Sequence, residues 1–345
     1  MLKVKNLSLA FGGLTAVNDV SFSVKEGETF AVIGPNGAGK TSLFNAISGV
    51  YRPTAGDVLI AGRKSSLPFT ISTALTVFVS ALLTGCAAVL ILNLTSLWDA
   101  VIINKFIYAT AFDWVDCFWG SVAYLSAQNS NYIALPFLSG AAVGGLAALK
   151  IFSSTRVGPE VCCSFGLTRT FQNVRLFKDL SALDNVLIGL QNRRGLNFFS
   201  SLFHLPSLRK QETINNKRAL ELLALVGLEV DAERLATELP YGSQRKLEIA
   251  RALGCNPKVL LLDEPAAGMN ATEKLALVEI IKRIGALVTV ILIEHDMQVV
   301  MGIADRILVL DYGSQIALGT PAEICVNPAV INAYLGTSAQ VASVC

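Results

Sequence analysis

"ETFAVIGPNGAGKTSLFNAISG", residues 28–49, decides the fold. A short β-rich run leads in, and the pattern G-x-x-x-x-G-K-[ST] follows as Gly34, Pro35, Asn36, Gly37, Ala38, Gly39, Lys40 and Thr41. The run "TSLFNAISG", with Ser42 in its first turn, then reads as a helix over 40–49 closed by Gly49. Strand, glycine-rich loop and helix in that order are the setting of a phosphate-binding loop, because glycines let successive backbone N–H groups turn inward around phosphate oxygens. In such a loop Lys40 reaches the β and γ phosphates, and Thr41 offers its hydroxyl to Mg²⁺. The bland alternative is a glycine-rich turn without a ligand, and the flanking strand and helix argue against it.

Two more strand ends carry acids. "KVLLLDEP", residues 258–265, is a continuous apolar run of the kind a parallel strand buried on both faces needs. Its exit lies at the carboxyl edge of the sheet, where doubly wound α/β folds bind ligands. There Asp263 is expected to hold Mg²⁺ through water and Glu264 to polarise an attacking water. An acid pair at a strand end can also cap a helix, a reading that weakens beside a phosphate loop. "VTVILIEHDM", residues 288–297, repeats the arrangement and places His295 where it could sense a γ phosphate. The chain's other histidine, His204, has no companion residues and reads as structural.

These pieces, in this order, resemble an ATP-binding subunit of an ABC transporter. The resemblance implies that residues 34–41 are Walker A, Asp263 closes Walker B, Glu264 is the catalytic glutamate, His295 is the switch histidine and Gln172 in "RTFQN" is the Q-loop glutamine, near Mg²⁺ and near a membrane partner. The family signature, usually LSGGQ, appears as "PYGSQ", with Tyr241, Gly242, Ser243 and Gln244; Tyr241 replaces the serine and Ser243 the second glycine. Asn270 in "AAGMN" stands where most members carry Asp. Both variants look like the branch serving branched-chain amino acid importers, which similarly carries YG-x-Q-R and DEPAAGLN. "FGGLTAVNDVSF", "RTFQNVRLF", "LEIARAL" and the ending "AYLG" agree, and Phe11 falls where that branch stacks an aromatic on adenine.

The resemblance implies ATP and Mg²⁺ as cofactors. It also implies a second ATPase subunit, identical or not, that pairs head to tail so that each ATP lies between one chain's Walker A and the other's signature. A many-span permease and, through it, an extracytoplasmic substrate-binding protein complete the expected partners. The run "SQRKLEIARAL", residues 243–253, suits that role as an amphipathic helix whose N-terminal dipole can face a phosphate.

Between the halves sits something else. "LPFTISTALTVFVSALLTGCAAVLILNLTSLW", residues 67–98, holds no Asp, Glu, Lys, Arg or His, which is how a bilayer-spanning helix reads. A second charge-free run covers 133–149 and contains Gly140, Gly144 and Gly145, the small-residue spacing of closely packed membrane helices. Because the ATPase halves on either side must share one compartment, the insertion is expected to cross a membrane an even number of times, here twice, with spans at 67–94 and 133–149. Arg63, Lys64, Lys150 and Arg156 flank it, while the intervening loop holds Asp99, Asp113 and Asp116 against Lys105 and all three tryptophans, as positive-inside and interfacial-aromatic tendencies require. An apolar hairpin packed on another protein and an accidental insertion are the alternatives.

The expected architecture is therefore an α/β P-loop NTPase of the ABC ATPase fold: a mixed sheet core with an antiparallel β subdomain and a helical subdomain over 175–240. The cassette would comprise 1–63 and 157–338, the insertion 64–156 and a frayed tail 339–345. Lys and Arg total 28 against 26 Asp and Glu, so with a net charge of +2 no basic stripe argues for nucleic acid, and no nucleic-acid partner is expected. The mean hydropathy of +0.54 averages two populations, with the excess between Leu67 and Leu149. Seven scattered cysteines without C-x-x-C spacing read as reduced thiols, and the opening "MLKVKNLSLAFGG" lacks a signal-peptide pattern. The chain is expected at the cytoplasmic face of the inner or plasma membrane. Two other functions stay open: an export half-transporter using its own spans, and a soluble ABC ATPase acting on DNA or ribosomes. The insertion is too small to enclose a path by itself, and the branch-specific motifs disfavour the second.

Overall fold

The computed structural model describes residues 1–65, 70–103, 114–128, 130–155, 158–191 and 206–335. Leu67, Lys105, Asp113, Arg156, His204 and the tail 339–345 lie outside the described residues. The chain divides into two compact units, residues 1–66 with 157–345 and residues 67–156.

In the first unit an antiparallel sheet of four strands has the order β2-β1-β4-β5, from Leu14–Val24 (β2), Leu2–Phe11 (β1), Ala55–Ile60 (β4) and Arg63–Lys64 (β5). A second sheet has six strands: Ser314–Gly319 (β10), Arg306–Asp311 (β9), Thr29–Ile33 (β3), Thr289–Ile293 (β8), Val259–Asp263 (β7) and Leu167–Arg169 (β6), side by side in that order. β9, β3, β8, β7 and β6 run parallel, and only β10 reverses. The apolar runs in β3, β7 and β8 are buried along their whole length because the sheet is covered on both faces. Alternate side chains serve alternate faces. Phe30 and Val32 pack with Leu43, Phe44 and Ile47 of the P-loop helix Lys40–Ile47, whereas Ala31 and Ile33 join a layer containing Leu277, Ile281 and Val300. Gly49, at φ 77°, ends the P-loop helix in the left-handed conformation that glycine adopts without cost.

The helical part of this unit contains Ala182–Gln191, Pro206–Val226 and Tyr241–Gly254, packed through Val186, Leu223 and Ile249. Short helices Pro321–Cys325 and Pro328–Leu335 follow β10. Cys325 is disulfide-bonded, which corrects the expectation of reduced thiols throughout. It ends a surface helix and is half-exposed, a position where a second sulfur can reach it and which spacing alone does not reveal.

The second unit is helical. Ile71–Leu92 runs 22 residues from a cap in which Thr70 Oγ1 accepts from Thr73 N, and Ser130–Thr155 runs 26. They meet through small residues: a Cβ on Gly140 would lie 2.6 Å from Thr84 O, and one on Gly85 2.9 Å from the Phe137 ring. Ser80 Oγ donates to Gly144 O at 3.3 Å. Large apolar side chains such as Leu75, Phe78, Leu83, Leu135, Leu138 and Leu146 stay exposed. The sequence reading made the connection between the two helices a loop, and here the structure differs. Trp98–Ile103 is a π-helical turn and Trp114–Ala127 an α-helix, so Trp98, Trp114 and Trp119 all stand on helices. "WVDCFWGSVAYLSA" has no proline and a single glycine, Gly120, so nothing in it breaks a helix.

Candidate functional site

The carboxyl ends of β3, β7 and β8 lie side by side, so the three motifs read from distant stretches of sequence converge at one edge of the sheet. The P-loop wraps the end of β3. Side chains cannot replace its glycines: a Cβ on Gly34 would collide with the Leu310 carbonyl, and one on Gly39 with that of Ala16. Lys40 is buried and its Nζ donates to Gly34 O at 2.7 Å and Pro35 O at 2.8 Å. Burial lowers its pKa, opposed by the charge of Glu264. Gly37, Thr41, Ser42, Gln172 and Glu264 line one cavity of about 470 Å³ in front of the loop, with Tyr312 on its rim. Asn36, Ala38 and Gly39 line it too, whereas Pro35 borders a neighbouring hollow with Asp311.

Glu264 is held in a left-handed conformation, φ 46°, with its N–H donated to Ile293 O of β8 at 3.0 Å. A non-glycine residue in that region is strained, and such strain collects at functional sites. Its Oε2 accepts from Gln172 Nε2 at 3.1 Å and lies 4.0 Å from His295 Nδ1. The structure thus brings Gln172, Glu264 and His295 together from the Q-loop and two strand ends. Behind them Glu294 is fully buried; desolvation raises its pKa, opposed by N–H donation from Ala266 at 2.8 Å. Asp296 accepts from Lys274 Nζ at 2.6 Å. A carboxylate and an amide lining the cavity, with an imidazole 4.0 Å from the carboxylate, can orient and polarise a water.

Asp263 is 2% exposed, and its Oδ2 accepts from Arg169 Nη2 at 2.7 Å. Arg169 Nη1 also reaches Asn45 Oδ1 at 2.6 Å and Ser48 Oγ at 3.1 Å, so this one guanidinium ties β7 to the P-loop helix. Sequence reasoning missed Arg169; it ends β6 beside β7, and only sheet order makes it a neighbour of Asp263. The donor set suits a hard cation. Thr41 hydroxyl, Gln172 amide oxygen and the second Asp263 oxygen are all oxygen ligands of the kind Mg²⁺ takes alongside phosphates and water.

Phe11 does not line the P-loop cavity. It is half-exposed and meets the Tyr51 ring edge-on, centroids 5.1 Å apart, so Tyr51 joins it as an aromatic that the sequence reading left out. The signature residues open the helix Tyr241–Gly254: Gln244 N already bonds Pro240 O at 2.9 Å, which leaves the N–H groups of Tyr241, Gly242 and Ser243 directed outward from its first turn. Gln244 Nε2 is turned back to Leu239 O at 2.9 Å. Asn270, the variant position, caps the helix Ala271–Gly285 by a reciprocal box with Glu273, Oδ1 accepting from Glu273 N at 2.9 Å and Glu273 Oε2 from Asn270 N at 3.0 Å.

A family profile described as "ABC transporter" matches residues 17–79 and 165–267, and one described as "Branched-chain amino acid ATP-binding cassette transporter" matches 314–340. The chain is 33% identical over 338 residues to the high-affinity branched-chain amino acid transport ATP-binding protein LivG of Salmonella typhimurium, covering 97% of this chain and 98% of LivG. It is 34% identical over the same length to BraF of Pseudomonas aeruginosa, with the same coverage. Among solved structures, the ADP conformation of the ATP-binding cassette MJ1267 superposes with a TM-score of 0.62 at 23% identity, covering 97% of this chain and 98% of that one, which speaks for the fold.

Proposed function

Since this chain belongs to the ABC-transporter ATP-binding family, in the branch of branched-chain amino acid transport ATP-binding proteins, we propose that it binds and hydrolyses ATP to power uptake of branched-chain or related amino acids through a separate permease. The observation that carries the mechanism is the pair Gln172 and Glu264 lining the P-loop cavity and hydrogen-bonded to each other, with His295 4.0 Å from the Glu264 carboxylate. The P-loop amides and Lys40 bind the triphosphate. Glu264 polarises the water that attacks the γ phosphorus, Gln172 fixes the carboxylate through its amide, and His295 senses the departing phosphate from the end of β8. Mg²⁺, held by Thr41 and through water by Asp263 and Gln172, would neutralise charge on the β and γ phosphates. Phe11 lies on the adenine side. Tyr241, Gly242, Ser243 and Gln244 serve the nucleotide of a second ATPase subunit, their helix N-terminus facing its γ phosphate.

The cassette comprises 1–63 and 157–338, and 64–156 is an insertion that spans the membrane twice. Two long apolar helices whose large side chains point outward support this, as do small residues between them and charge confined to their flanks. The chain then sits at the cytoplasmic face, tethered by its own hairpin as well as by its permease. Uptake of radiolabelled leucine in a strain lacking this gene tests the function: wild-type chain should restore it, and Lys40→Ala should not. Restoration by Lys40→Ala, or no uptake defect in the deletion, contradicts the reading.

A further inference from the structure

Gln172 is exposed and stands on a segment with no helix or strand, so packing of its own side chain does not set its reach to Glu264. Something must fix the backbone instead. Arg245, 3% exposed on the signature helix, supplies that contact. Its Nη1 donates to Phe171 O at 2.7 Å, its Nη2 to Gln172 O, and its Nε to Tyr241 Oη at 3.1 Å. Glu248, one turn on and 2% exposed, completes the clamp: Oε2 accepts from Arg245 at 3.4 Å and Oε1 from Phe171 N at 3.3 Å. The Phe171 peptide is therefore held at both its N–H and its C=O. Tyr241 in turn rests on the loop after Glu264, for a Cβ on Gly268 would lie 3.1 Å from Tyr241 Cε1.

We propose that Arg245 is a positioning residue for hydrolysis, fixing two successive Q-loop carbonyls so that the Gln172 amide meets Glu264; this rests on the roles given above to Gln172 and Glu264. Stability alone gives no reason for the pair, because apolar residues of similar volume can replace a buried ion pair without loss. What arginine alone supplies is a rigid planar fork that engages two carbonyls and a phenol at once, which a lysine's single ammonium on a flexible stem does not. The tyrosine in the signature acquires a purpose here as well, since its hydroxyl orients that fork.

The test is a double-mutant cycle on the chain assembled with its permease in lipid, comparing Arg245→Lys, Gln172→Ala and the double variant. Lysine keeps the charge beside Glu248, and a thermal melt checks that the helix stays folded. The expected result is a kcat about tenfold lower for Arg245→Lys at nearly unchanged KM for ATP, and a double variant no slower than Gln172→Ala alone. Losses that multiply in the double variant, a change confined to KM, or full kcat in Arg245→Lys overturn the proposal while the site reading stands. Full activity in Gln172→Ala overturns both. If Arg245→Lys does not fold, Tyr241→Phe carries the same cycle, with an expected loss of about threefold in kcat that vanishes in the Gln172→Ala background.

Discussion

Leu260, Leu261 and Leu262 in the nucleotide-binding unit are fully buried, while Leu75, Phe78 and Leu83 in the inserted helices are 60%, 64% and 63% exposed. Both stretches read as unbroken apolar sequence. In the first, alternate residues face two protein layers, and the strand ends in acids that need a polar ligand. In the second, the helices present Gly85, Gly140 and Gly144 to one another and their large residues to the outside. Hydrophobicity by itself does not name the solvent. Its periodicity separates the two, together with where the charges stop: five-residue strands flanked by Asp, Glu and Lys belong to a protein core, and a 22-residue helix without charge is long and apolar enough to cross a membrane.

The largest effect expected from breaking this contrast lies on the nucleotide side. Glu264→Gln should lower the ATPase rate about 10²- to 10⁴-fold while binding of a fluorescent ATP analogue persists, because Lys40 and Asp263 are untouched. A turnover assay and a binding titration on the same preparation check it; near-normal turnover removes Glu264 from its role. Next comes the buried ion pair. Arg169→Leu leaves Asp263 unpaired in the interior and should destabilise the cassette by about 3–5 kcal/mol, read by denaturant melting. A cost below about 1 kcal/mol would mean that the pair is effectively solvated.

On the hairpin side, Gly140→Leu should force apart the helices Ile71–Leu92 and Ser130–Thr155, since even a Cβ there would lie 2.6 Å from Thr84 O. The expected readout is loss of a disulfide engineered between the two helices, with ATPase activity unchanged. The smallest effect tests the family variant: Asn270→Ala removes a helix cap and should cost about 1 kcal/mol, whereas Asn270→Asp should be near neutral in stability. Thermal melts of the two variants separate capping from any role at a subunit interface.

Much of the cassette was legible because its motifs are local. Gly34, Lys40 and Thr41 sit within one loop, and Asp263 with Glu264 and Glu294 with His295 mark strand ends that any parallel sheet must bring to one edge. Arg169 and Arg245 were not legible for the opposite reason: their partners lie 94 and 74 residues away for Asp263 and Phe171, and only the sheet order and the packing of the signature helix bring them together. Phe11 was legible from its motif, whereas its neighbour Tyr51 comes from beyond the P-loop helix and was not. In the hairpin the long helices were plain from the missing charges. Between them, tryptophans and sparse acids suggest an interfacial loop, yet 114–127 holds no proline and forms a helix.

The proposed membrane-spanning hairpin puts the two apolar regions of this chain in different solvents, and Asp116→Cys reads that difference. Asp116 is exposed on the helix between the two long ones, so in a background without other cysteines a single thiol there reports its compartment. Intact cells treated with a membrane-impermeant maleimide should label this variant, while Glu160→Cys in the cassette should label only after lysis. Labelling of Asp116→Cys only once the cytosol is opened would contradict a membrane-spanning hairpin and place both regions on the same side.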